Sequence, residues 1–399
     1  MSRFRVLLVS HAYVTPFNRT KAEALAASGE AEVTLLVPDR WEAPVPPAEA
    51  AAYRLVRLPA AFPGRGGGYF YRAGLSSLVM RLQPDLVHVE EEPWSVSAFQ
   101  FARLKRKAEF RYALFSWENL RKDFRGARGW MERQTLRSVD LGIGGNEAAA
   151  RELRRKGVET VHVLPQLGLD PEWFRPGERP PSDVFTMGYA GRMAPEKGVH
   201  LLLRAAAGLG GEWRLRILGS GPERSRLRAL AGESAVSDRV EFLPAVPHEG
   251  VAAFLRTLDV LVLPSLTTRS WAEQFGHVLI EAMSAETPVV ASNSGAIPEV
   301  VGEAGLLFPE GDVSALKAAL ARLRDDPDLS GALGARGRKR VLERFTWDRI
   351  AGKTLALYRS LLNHENPSPP PLPPPPPLAE GGGSARAVPG RSGGSGGGS

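Results

Sequence analysis

The sequence predicts an α/β protein with two domains, each built on a parallel sheet covered by helices. Its 399 residues exceed the length that one hydrophobic core usually organises. Short runs rich in valine and leucine suit buried strands, and they alternate with stretches that suit helices, as in repeated βαβ units. The strand-like runs lie at 4–9, 32–37 and 85–89 in the first half, and at 185–190, 214–218, 240–243, 260–263 and 288–291 in the second. The clearest helical stretches lie at 20–27 and 75–82.

The two sets of strands place the domain boundaries. A stretch at 173–183 is rich in proline and charge and has no periodicity, so we predict the linker there. We expect a first domain over 1–175, a second over 176–345, and an amphipathic helix over 346–363 that returns to the first domain. Residues 364–399 are a proline run followed by glycine and serine, which bury too little apolar surface to fold. This tail is predicted to be disordered, and it is either a spacer or a polyproline ligand.

The composition excludes several classes of protein. Cysteine is absent, which excludes disulfides, thiolate metal ligands and a cysteine nucleophile. No run of about 20 apolar residues suggests a membrane span. The apolar residues near the start are few and predict a first strand, not a signal peptide. We therefore expect a cytoplasmic protein.

The chain is basic, which predicts an anionic partner. Its formal net charge is +7, and most of this excess lies in the first half. The densest basic runs, at 104–111 and 151–156, either meet acidic phospholipid headgroups or are solvated helix faces. We expect no nucleic acid partner, because the runs lack interleaved aromatic residues and no nucleic-acid-binding motif accompanies them.

A glycine-containing loop at 188–198 follows the first strand of the second domain and leads into a helix near Val199. Such a turn exposes backbone N–H groups and the positive end of a helix. Gly191 gives the turn its freedom, and Arg192 and Lys197 add two fixed charges. The loop therefore suits a diphosphate, although a plain turn with two solvated cations is the alternative.

Two glutamates lie eight residues apart in the segment 271–283. Glu281 falls on a helix and could accept hydrogen bonds from vicinal ribose hydroxyls, whereas Glu273 lies in the preceding loop and could face a sugar. Free N–H groups at the start of this helix could bind phosphate. The residues there are Phe275, Gly276, His277 and Val278. Exposed helix glutamates are the alternative interpretation.

Two further turns follow strands of the second domain. Ser220 and Gly221 lie in a turn that lacks the third glycine of a dinucleotide fingerprint, and Pro222 is expected to start the next helix. We interpret these two residues as possible donor contacts. The segment 292–299 is either another ligand contact or a plain capped βα turn.

Together these motifs resemble family-4 retaining glycosyltransferases of the GT-B fold, in which two Rossmann-like domains face each other across a cleft. The resemblance is strong over 185–361 and weaker before it. It implies that Arg192 and Lys197 bind the diphosphate of a nucleotide-sugar donor. It also implies that Glu273 contacts the transferred sugar and Glu281 the ribose, and that 276–278 supply N–H contacts to phosphate.

The resemblance also implies a reaction with little side-chain chemistry. In such enzymes the leaving diphosphate helps to deprotonate the acceptor on the face where it departs, so that positioning and charge stabilisation do most of the work. We therefore expect no metal and no cofactor. Asp326 and Asp328 have the spacing of a metal motif, but they are expected in a turn between helices, far from the cleft.

The first half departs from the family pattern. The segment 10–19 stands where many members have a Gly-Gly loop, and Glu118 stands where many have a histidine. Glu118 could bond a sugar hydroxyl, act as a general base, or cap the next helix. The run Glu90–Glu92 is expected to line the cleft, where it could bind acceptor hydroxyls or a cation, or be a solvated loop. His88 is expected to be a core histidine.

The resulting hypothesis is a hexosyltransferase that acts on a glycan or lipid-linked acceptor in cell-envelope or exopolysaccharide biosynthesis. Its expected catalytic residues are Glu273, Arg192, Lys197 and Glu118. We expect peripheral contact with the inner face of an anionic membrane. The alternatives are a nucleotide-sugar epimerase or another non-transferase enzyme of the same fold, and a non-catalytic nucleotide-binding assembly protein.

Overall fold

The computed structural model describes residues 3–48, 51–177 and 184–363. The predicted tail at 364–399 and the second part of the predicted linker, 178–183, lie outside the described residues. The predicted domain boundaries stay a prediction. None of the described helices combines the length and apolarity that crossing a bilayer requires.

The first half of the chain forms a seven-stranded parallel sheet in the order β3-β2-β1-β6-β7-β8-β9, and β4 and β5 form a small antiparallel pair. The strands β2 and β6 lie on either side of β1, and both run parallel to it. The elements in chain order are β1 Phe4–Val9, α1 Thr20–Ala27, β2 Ala31–Pro38, β3 Arg54–Leu58, β4 Ala60–Ala61, β5 Phe70–Tyr71, α2 Leu75–Leu82, β6 Leu86–Glu90, α3 Val96–Lys105, β7 Arg111–Ser116, α4 Gly126–Leu136, β8 Leu141–Gly144, α5 Glu147–Arg155 and β9 Val161–Val163.

The second half forms a six-stranded parallel sheet in the order β12-β11-β10-β13-β14-β15. The elements in chain order are β10 Phe185–Ala190, α6 Val199–Ala207, β11 Trp213–Leu218, α7 Arg224–Glu233, β12 Val240–Leu243, α8 His248–Leu255, β13 Val260–Leu263, α9 His277–Ser284, β14 Val289–Ser292, α10 Ile297–Val301, β15 Leu306–Phe308, α11 Val313–Asp325, α12 Pro327–Arg344 and α13 Trp347–Leu362. The predicted α/β class with two parallel sheets is confirmed.

Eight strands lie within one residue of their predicted bounds, whereas β3, β7, β8, β9 and β15 were not predicted. The central strands of both sheets are buried on both faces. All four residues of β13 and of β14 are buried, as are all five of β6. Strands of this kind read as continuous apolar runs in the sequence. The carboxyl ends of parallel strands meet at one edge of each sheet, which is where such sheets bind ligands.

One predicted helix start is wrong. The helix α7 begins at Arg224, and Pro222 lies in the preceding turn. This turn is tied to the glycine loop, because the Glu223 N–H donates to the Met193 carbonyl at 3.1 Å. The chain can become helical only after that contact.

The last helix, α13, packs against α1 of the first half. Its Tyr358 hydroxyl lies 2.6 Å from His88 Nδ1, and both side chains are fully buried. Burial lowers the pKa of His88 to about 4, so the ring is neutral near pH 7. His88 Nε2 has no hydrogen-bond partner among the described residues, which leaves Tyr358 as the partner of this ring there.

We expect Tyr358→Phe to lower the free energy of unfolding by about 1–3 kcal/mol, because both nitrogens of the buried His88 ring would then lack a partner. Chemical denaturation near pH 7 measures this change. Arg359→Gln on the exposed side of the same helix is the control, and we expect it to change stability by less than about 0.5 kcal/mol. Equal effects of the two substitutions would contradict the role given to Tyr358.

Candidate active site

A cavity of about 580 Å³ lies at the carboxyl ends of the second sheet's strands. Its size is within the range of small-ligand sites. It brings together nine of the predicted site residues, namely Gly191, Arg192, Lys197, Ser220, Glu273, Gly276, His277, Val278 and Glu281. Ala245 and Val246, from the loop after β12, add an apolar wall. Gly221, Phe275 and Glu118 do not line this cavity.

The glycine loops at the ends of β10 and β11 are packed against each other. A Cβ atom on Gly219 would lie 2.1 Å from the Gly191 carbonyl oxygen, and one on Gly221 would lie 2.2 Å from that of Met193. Both glycines have positive φ angles, +135° and +154°. Gly221 therefore shapes the cavity by allowing this close approach, although it does not line it.

The two predicted cations of the loop differ in their surroundings. Lys197 Nζ lies 2.7 Å from Glu273 Oε2 and 4.5 Å from the centroid of the Trp271 ring. The exposed Arg192 side chain has no hydrogen bond or ion pair with any residue of the described ranges. One cation is thus held in place by a carboxylate, and the other is available to an anion.

Glu273 is fixed on both sides. Its Oε2 accepts a hydrogen bond from Ser265 Oγ at 2.8 Å in addition to the contact with Lys197. Its backbone carbonyl accepts from the Ala296 N–H at 2.8 Å and from Asn119 Nδ2 at 3.0 Å. The carboxylate is therefore held at the cavity wall in one orientation.

The helix α9 starts at the cavity. Gly276 precedes it with a φ of +77°, and no side chain caps its first N–H groups. Uncapped N–H groups and the helix dipole together favour an anion at this point. Phe275 is buried against Trp117 and Phe345, and so it supports the start of the helix from behind the cavity.

Glu281 lies one turn into α9 and is 6% exposed. Its carboxyl group makes no hydrogen bond within the described residues, and burial raises its pKa to about 7. His248 Nε2 lies 3.7 Å from Glu281 Oε1, beyond hydrogen-bond distance. A buried carboxyl group without a partner is suited to bind the hydroxyl groups of a ligand.

His277, the first residue of α9, is half-buried, and its Nε2 has no hydrogen-bond partner among the described residues. Burial, together with the nearby His248, lowers the pKa of His277 to about 4. The ring is therefore neutral near pH 7. Its contribution to anion binding would come from its backbone N–H group.

Glu118 lies apart from this cavity. Its Oε2 is 2.8 Å from Lys122 Nζ, and its side chain is largely buried. The prediction that it could cap the next helix is wrong, because α4 begins at Gly126 with Arg125 at its N-cap. The loop between them is long enough to separate Glu118 from the helix start.

Residues that follow β7 and β8 of the first sheet touch the Glu273 segment. Asn146 Nδ2 donates to the Gln274 carbonyl at 2.9 Å, and Gln274 Nε2 donates to the Trp117 carbonyl at 3.3 Å. With the bond from Asn119, these contacts hold the Glu273 loop against the first half of the chain. Sequence reasoning did not identify Asn119 or Asn146, because no local pattern reports a contact between residues so far apart.

A second cavity, of about 290 Å³, lies at the carboxyl ends of the first sheet's strands. Ser10, His11, Trp94, Trp117 and Gln166 are among its lining residues. The run Glu90–Glu92 lines this cavity and not the one that contains Glu281. None of the thirteen lining residues is Lys or Arg.

The three carboxylates of this second cavity have different partners. Glu90 contacts the buried Lys21 ammonium and the Tyr13 hydroxyl. Glu91 lies 2.7 Å from His11 Nδ1 and accepts from the Tyr69 hydroxyl at 2.8 Å. Burial lowers the pKa of His11, but the Glu91 and Glu92 carboxylates outweigh it, so the pKa is raised.

Glu92 forms no ion pair within the part of the chain that the structure describes. It accepts from Ser116 Oγ at 2.6 Å and from the Trp117 N–H at 2.9 Å. Desolvation raises the pKa of Glu92 to about 7, and the neighbouring Glu118 and Glu91 carboxylates add to the rise. Glu92 is therefore the carboxyl group of this cavity that changes charge near neutral pH.

No group of three histidine, aspartate or glutamate side chains in the described ranges is arranged to hold a metal ion. Asp326 Oδ1 accepts from the Leu329 N–H at 2.9 Å, so it caps α12. The absence of a metal requirement stays a prediction.

Two sequence models of known families match this chain. The model of glycosyl transferases group 1 matches residues 172–340, and that of the glycosyl transferase 4-like domain matches residues 14–166. The chain belongs to the group 1, family-4 glycosyltransferases. The second match covers the half in which the predicted pattern was weaker.

Solved structures of other proteins show the same fold. Sucrose-phosphate synthase from Thermosynechococcus elongatus is 26% identical, with a TM-score of 0.73 over 91% of this chain and 100% of that one. Anabaena Alr3699/HepE in complex with UDP is 18% identical, with a TM-score of 0.70 over 90% of this chain and 100% of that one. The predicted GT-B fold is confirmed.

Curated relatives are similar over part of their length. The MMP alpha-(1->4)-mannosyltransferase of Mycolicibacterium hassiacum is 36% identical over 241 residues, which are 58% of this chain and 57% of that protein. The D-inositol 3-phosphate glycosyltransferase of Saccharomonospora viridis is 36% identical over 259 residues, 58% of each chain. This glycosyltransferase thus matches less than two thirds of either relative.

Glu281→Gln is expected to stabilise the ligand-free protein at pH 8 by up to about 3 kcal/mol. A carboxyl group with a raised folded pKa favours folding while it is protonated. That stability is fully present below its unfolded pKa near 4.5 and is lost as pH rises towards about 7. The glutamine side chain stays neutral, so the variant loses no stability as pH rises.

Urea denaturation at pH 5 and pH 8 measures this difference. We expect the two proteins to differ little at pH 5. Glu233→Gln at the exposed end of α7 is the control, with no change at either pH. A Glu281→Gln protein that is less stable than the parent at pH 8 would show that the carboxylate is stabilised in the fold.

Proposed function

We propose that this protein is a retaining glycosyltransferase that moves a hexose from a nucleotide-diphosphate sugar to a glycan or lipid-linked acceptor. The observation that carries the proposal is the division of one cavity into two chemically different ends. Arg192, Lys197 and the start of α9 form an end suited to anions. Glu281 forms an end suited to hydroxyl groups, and one nucleotide sugar has both kinds of group.

The proposed donor position follows from these two ends. The diphosphate would lie between Arg192, Lys197 and the N–H groups of 276–278. The ribose hydroxyls would donate to Glu281, and the base would rest near Ala245 and Val246. Glu273 would contact the transferred sugar. The UDP named in the Anabaena structure supports a nucleotide of this kind.

In the proposed reaction, the bond between the sugar's anomeric carbon and the diphosphate oxygen breaks. The acceptor oxygen attacks the anomeric carbon from the same face, and its proton passes to the departing phosphate. Arg192, Lys197 and the α9 N–H groups take the negative charge that develops on the diphosphate, so the reaction would need no metal. Glu273 holds Lys197 in position, and this is how the buried ion pair would contribute to the rate.

The second cavity is the proposed acceptor site. Trp117 lines it, and the Trp117 backbone carbonyl accepts from Gln274 beside Glu273, so the two cavities share one connecting segment. Its carboxyl groups suit hydroxyl groups of a neutral acceptor ring, because no lysine or arginine lines it to hold a phosphate. Glu118 lies next to this segment, and it is proposed to accept a hydrogen bond from an acceptor hydroxyl while the departing phosphate takes the proton; Lys122 is its partner.

We place the reaction in the cytoplasm, in cell-envelope or exopolysaccharide synthesis, with the protein peripheral on the inner membrane face. The basic first half and a lipid-linked acceptor are consistent with that location. No cofactor is part of the proposal.

A thermal-shift screen against UDP, GDP, ADP, TDP and their common sugars, with and without EDTA, tests the donor proposal. A ligand at 100 times its dissociation constant adds about 2.7 kcal/mol to the free energy of unfolding, which gives a readable shift. We expect one base family to shift the melting temperature to the same extent in EDTA.

Each other outcome of the screen has a clear meaning. No shift with any nucleotide would contradict the donor site. A shift that EDTA abolishes would contradict metal independence. Incubation of the stabilising nucleotide sugar without acceptor extends the test, because its conversion into an epimer would identify an epimerase instead of a transferase.

A further inference from the structure

Two grooves that share a wall lie on the first half of the chain, away from both cavities described above. One, of about 380 Å³, lies between the start of α2 and α3, and the other, of about 210 Å³, lies between α3 and α4. Phe99 and Arg103 line both. Five exposed cations surround them, and we call these the basic face: Arg72, Arg103, Arg106, Lys107 and Arg137.

The cations of the basic face are not neutralised. No aspartate or glutamate lines either groove, and none of the five side chains forms an ion pair with a described residue. Like charges held together without counterions raise the electrostatic potential of the surface. The basic face therefore attracts anions from solution.

The other basic run of the sequence, 151–156, is different. Arg155 lies 2.7 Å from Asp123 and 2.8 Å from Glu152, and Lys156 lies 2.5 Å from Glu132. Arg154 is 4.0 Å from Glu147. These pairs offset the charge of the run. In the run 104–111, Lys105 and Arg111 lie 2.5 and 3.8 Å from Asp140, and it is Arg106 and Lys107 that belong to the basic face.

An exposed tryptophan lies among the free cations. Trp130 on α4 lines the smaller groove and is 46% exposed, and its ring packs edge-on against Phe99 with centroids 5.2 Å apart. Met80 on α2 is 55% exposed. Tryptophan beside arginine is the combination that favours a membrane–water interface, because its ring is apolar and its N–H group is polar.

We propose that the basic face docks this glycosyltransferase on an anionic bilayer. Lipid phosphate groups occupy the two grooves between the arginines, and Trp130 enters the headgroup region. The proposal deepens the proposed function by naming the surface that brings the enzyme to a lipid-linked acceptor. The observations favour a bilayer over a nucleic acid, since one exposed indole beside shallow grooves offers no row of aromatic rings for stacking bases.

Co-sedimentation of the intact protein with vesicles, without donor or acceptor, tests the proposal. We expect binding to phosphatidylglycerol vesicles and little binding to phosphatidylcholine vesicles. Each cation near an anionic surface contributes a comparable share of the attraction. We therefore expect a triple variant to bind the phosphatidylglycerol vesicles on the order of 100-fold more weakly. Its substitutions are Arg103→Gln, Arg106→Gln and Arg137→Gln. Raised salt should weaken the binding of the parent protein as well.

The matched control removes the same charge from the second half of the chain. Arg214→Gln, Arg322→Gln and Lys339→Gln replace exposed cations outside the basic face, and this protein should bind vesicles like the parent. Both triple variants should keep the parent's melting temperature. Trp130→Ala should weaken binding while the net charge is unchanged.

Three outcomes would overturn the proposal. The first is a parent protein that does not bind phosphatidylglycerol vesicles. The second is an equal loss of vesicle binding in the two triple variants. The third is a first triple variant that loses binding to an oligonucleotide but still binds vesicles. Glu281→Gln separates this test from that of the donor site. Its vesicle binding should match the parent whether or not the proposed transferase activity is correct.

Discussion

The arrangement of the active site depends on how the loop at Glu273 is fixed. Its carboxylate holds Lys197 and accepts from Ser265, and its backbone carbonyl accepts from Asn119 and from the Ala296 N–H. Gly295 passes so close that a Cβ atom there would lie 2.1 Å from the Glu273 carbonyl oxygen. Segments from both sheets therefore meet at Glu273. This one residue positions Lys197, the start of α9 and the connection to the first half of the chain.

The cavity beside this loop separates charge along its length, and the separation has an energetic consequence. The end formed by Arg192 and Lys197 has positive charge that is partly free, whereas Glu281 at the other end is a buried carboxyl group that makes no hydrogen bond with a described residue. A buried group of that kind is unfavourable in the empty protein, and a ligand that donates hydroxyl groups to it removes the penalty. Sites that bind ligands commonly retain such local instability.

The sequence predicted the parts of this molecule that depend on local or repeating patterns. The strands 185–190 and 260–263 have the predicted bounds because they are largely apolar and buried on both faces. Nine of the predicted site residues meet in one cavity because each follows a strand at the same sheet edge. The roles of Asn119 and Asn146 were not predictable, since their partners lie in the other half of the chain. For the same reason, the sequence could not tell that Arg155 and Lys156 of one basic run pair with Asp123 and Glu132, whereas Arg106 and Lys107 of the other form no ion pair with a described residue.

The central claim is that fixed cations of the protein, and not a metal ion, take the charge of the leaving diphosphate. Turnover of the parent protein, Lys197→Gln and the exposed control Lys317→Gln, each with and without EDTA, tests it most directly. We expect Lys197→Gln to reduce kcat by about 100-fold or more, with the parent and the control equally active in EDTA. A parent protein that EDTA inactivates, or a Lys197→Gln protein that turns over like Lys317→Gln, would contradict the claim.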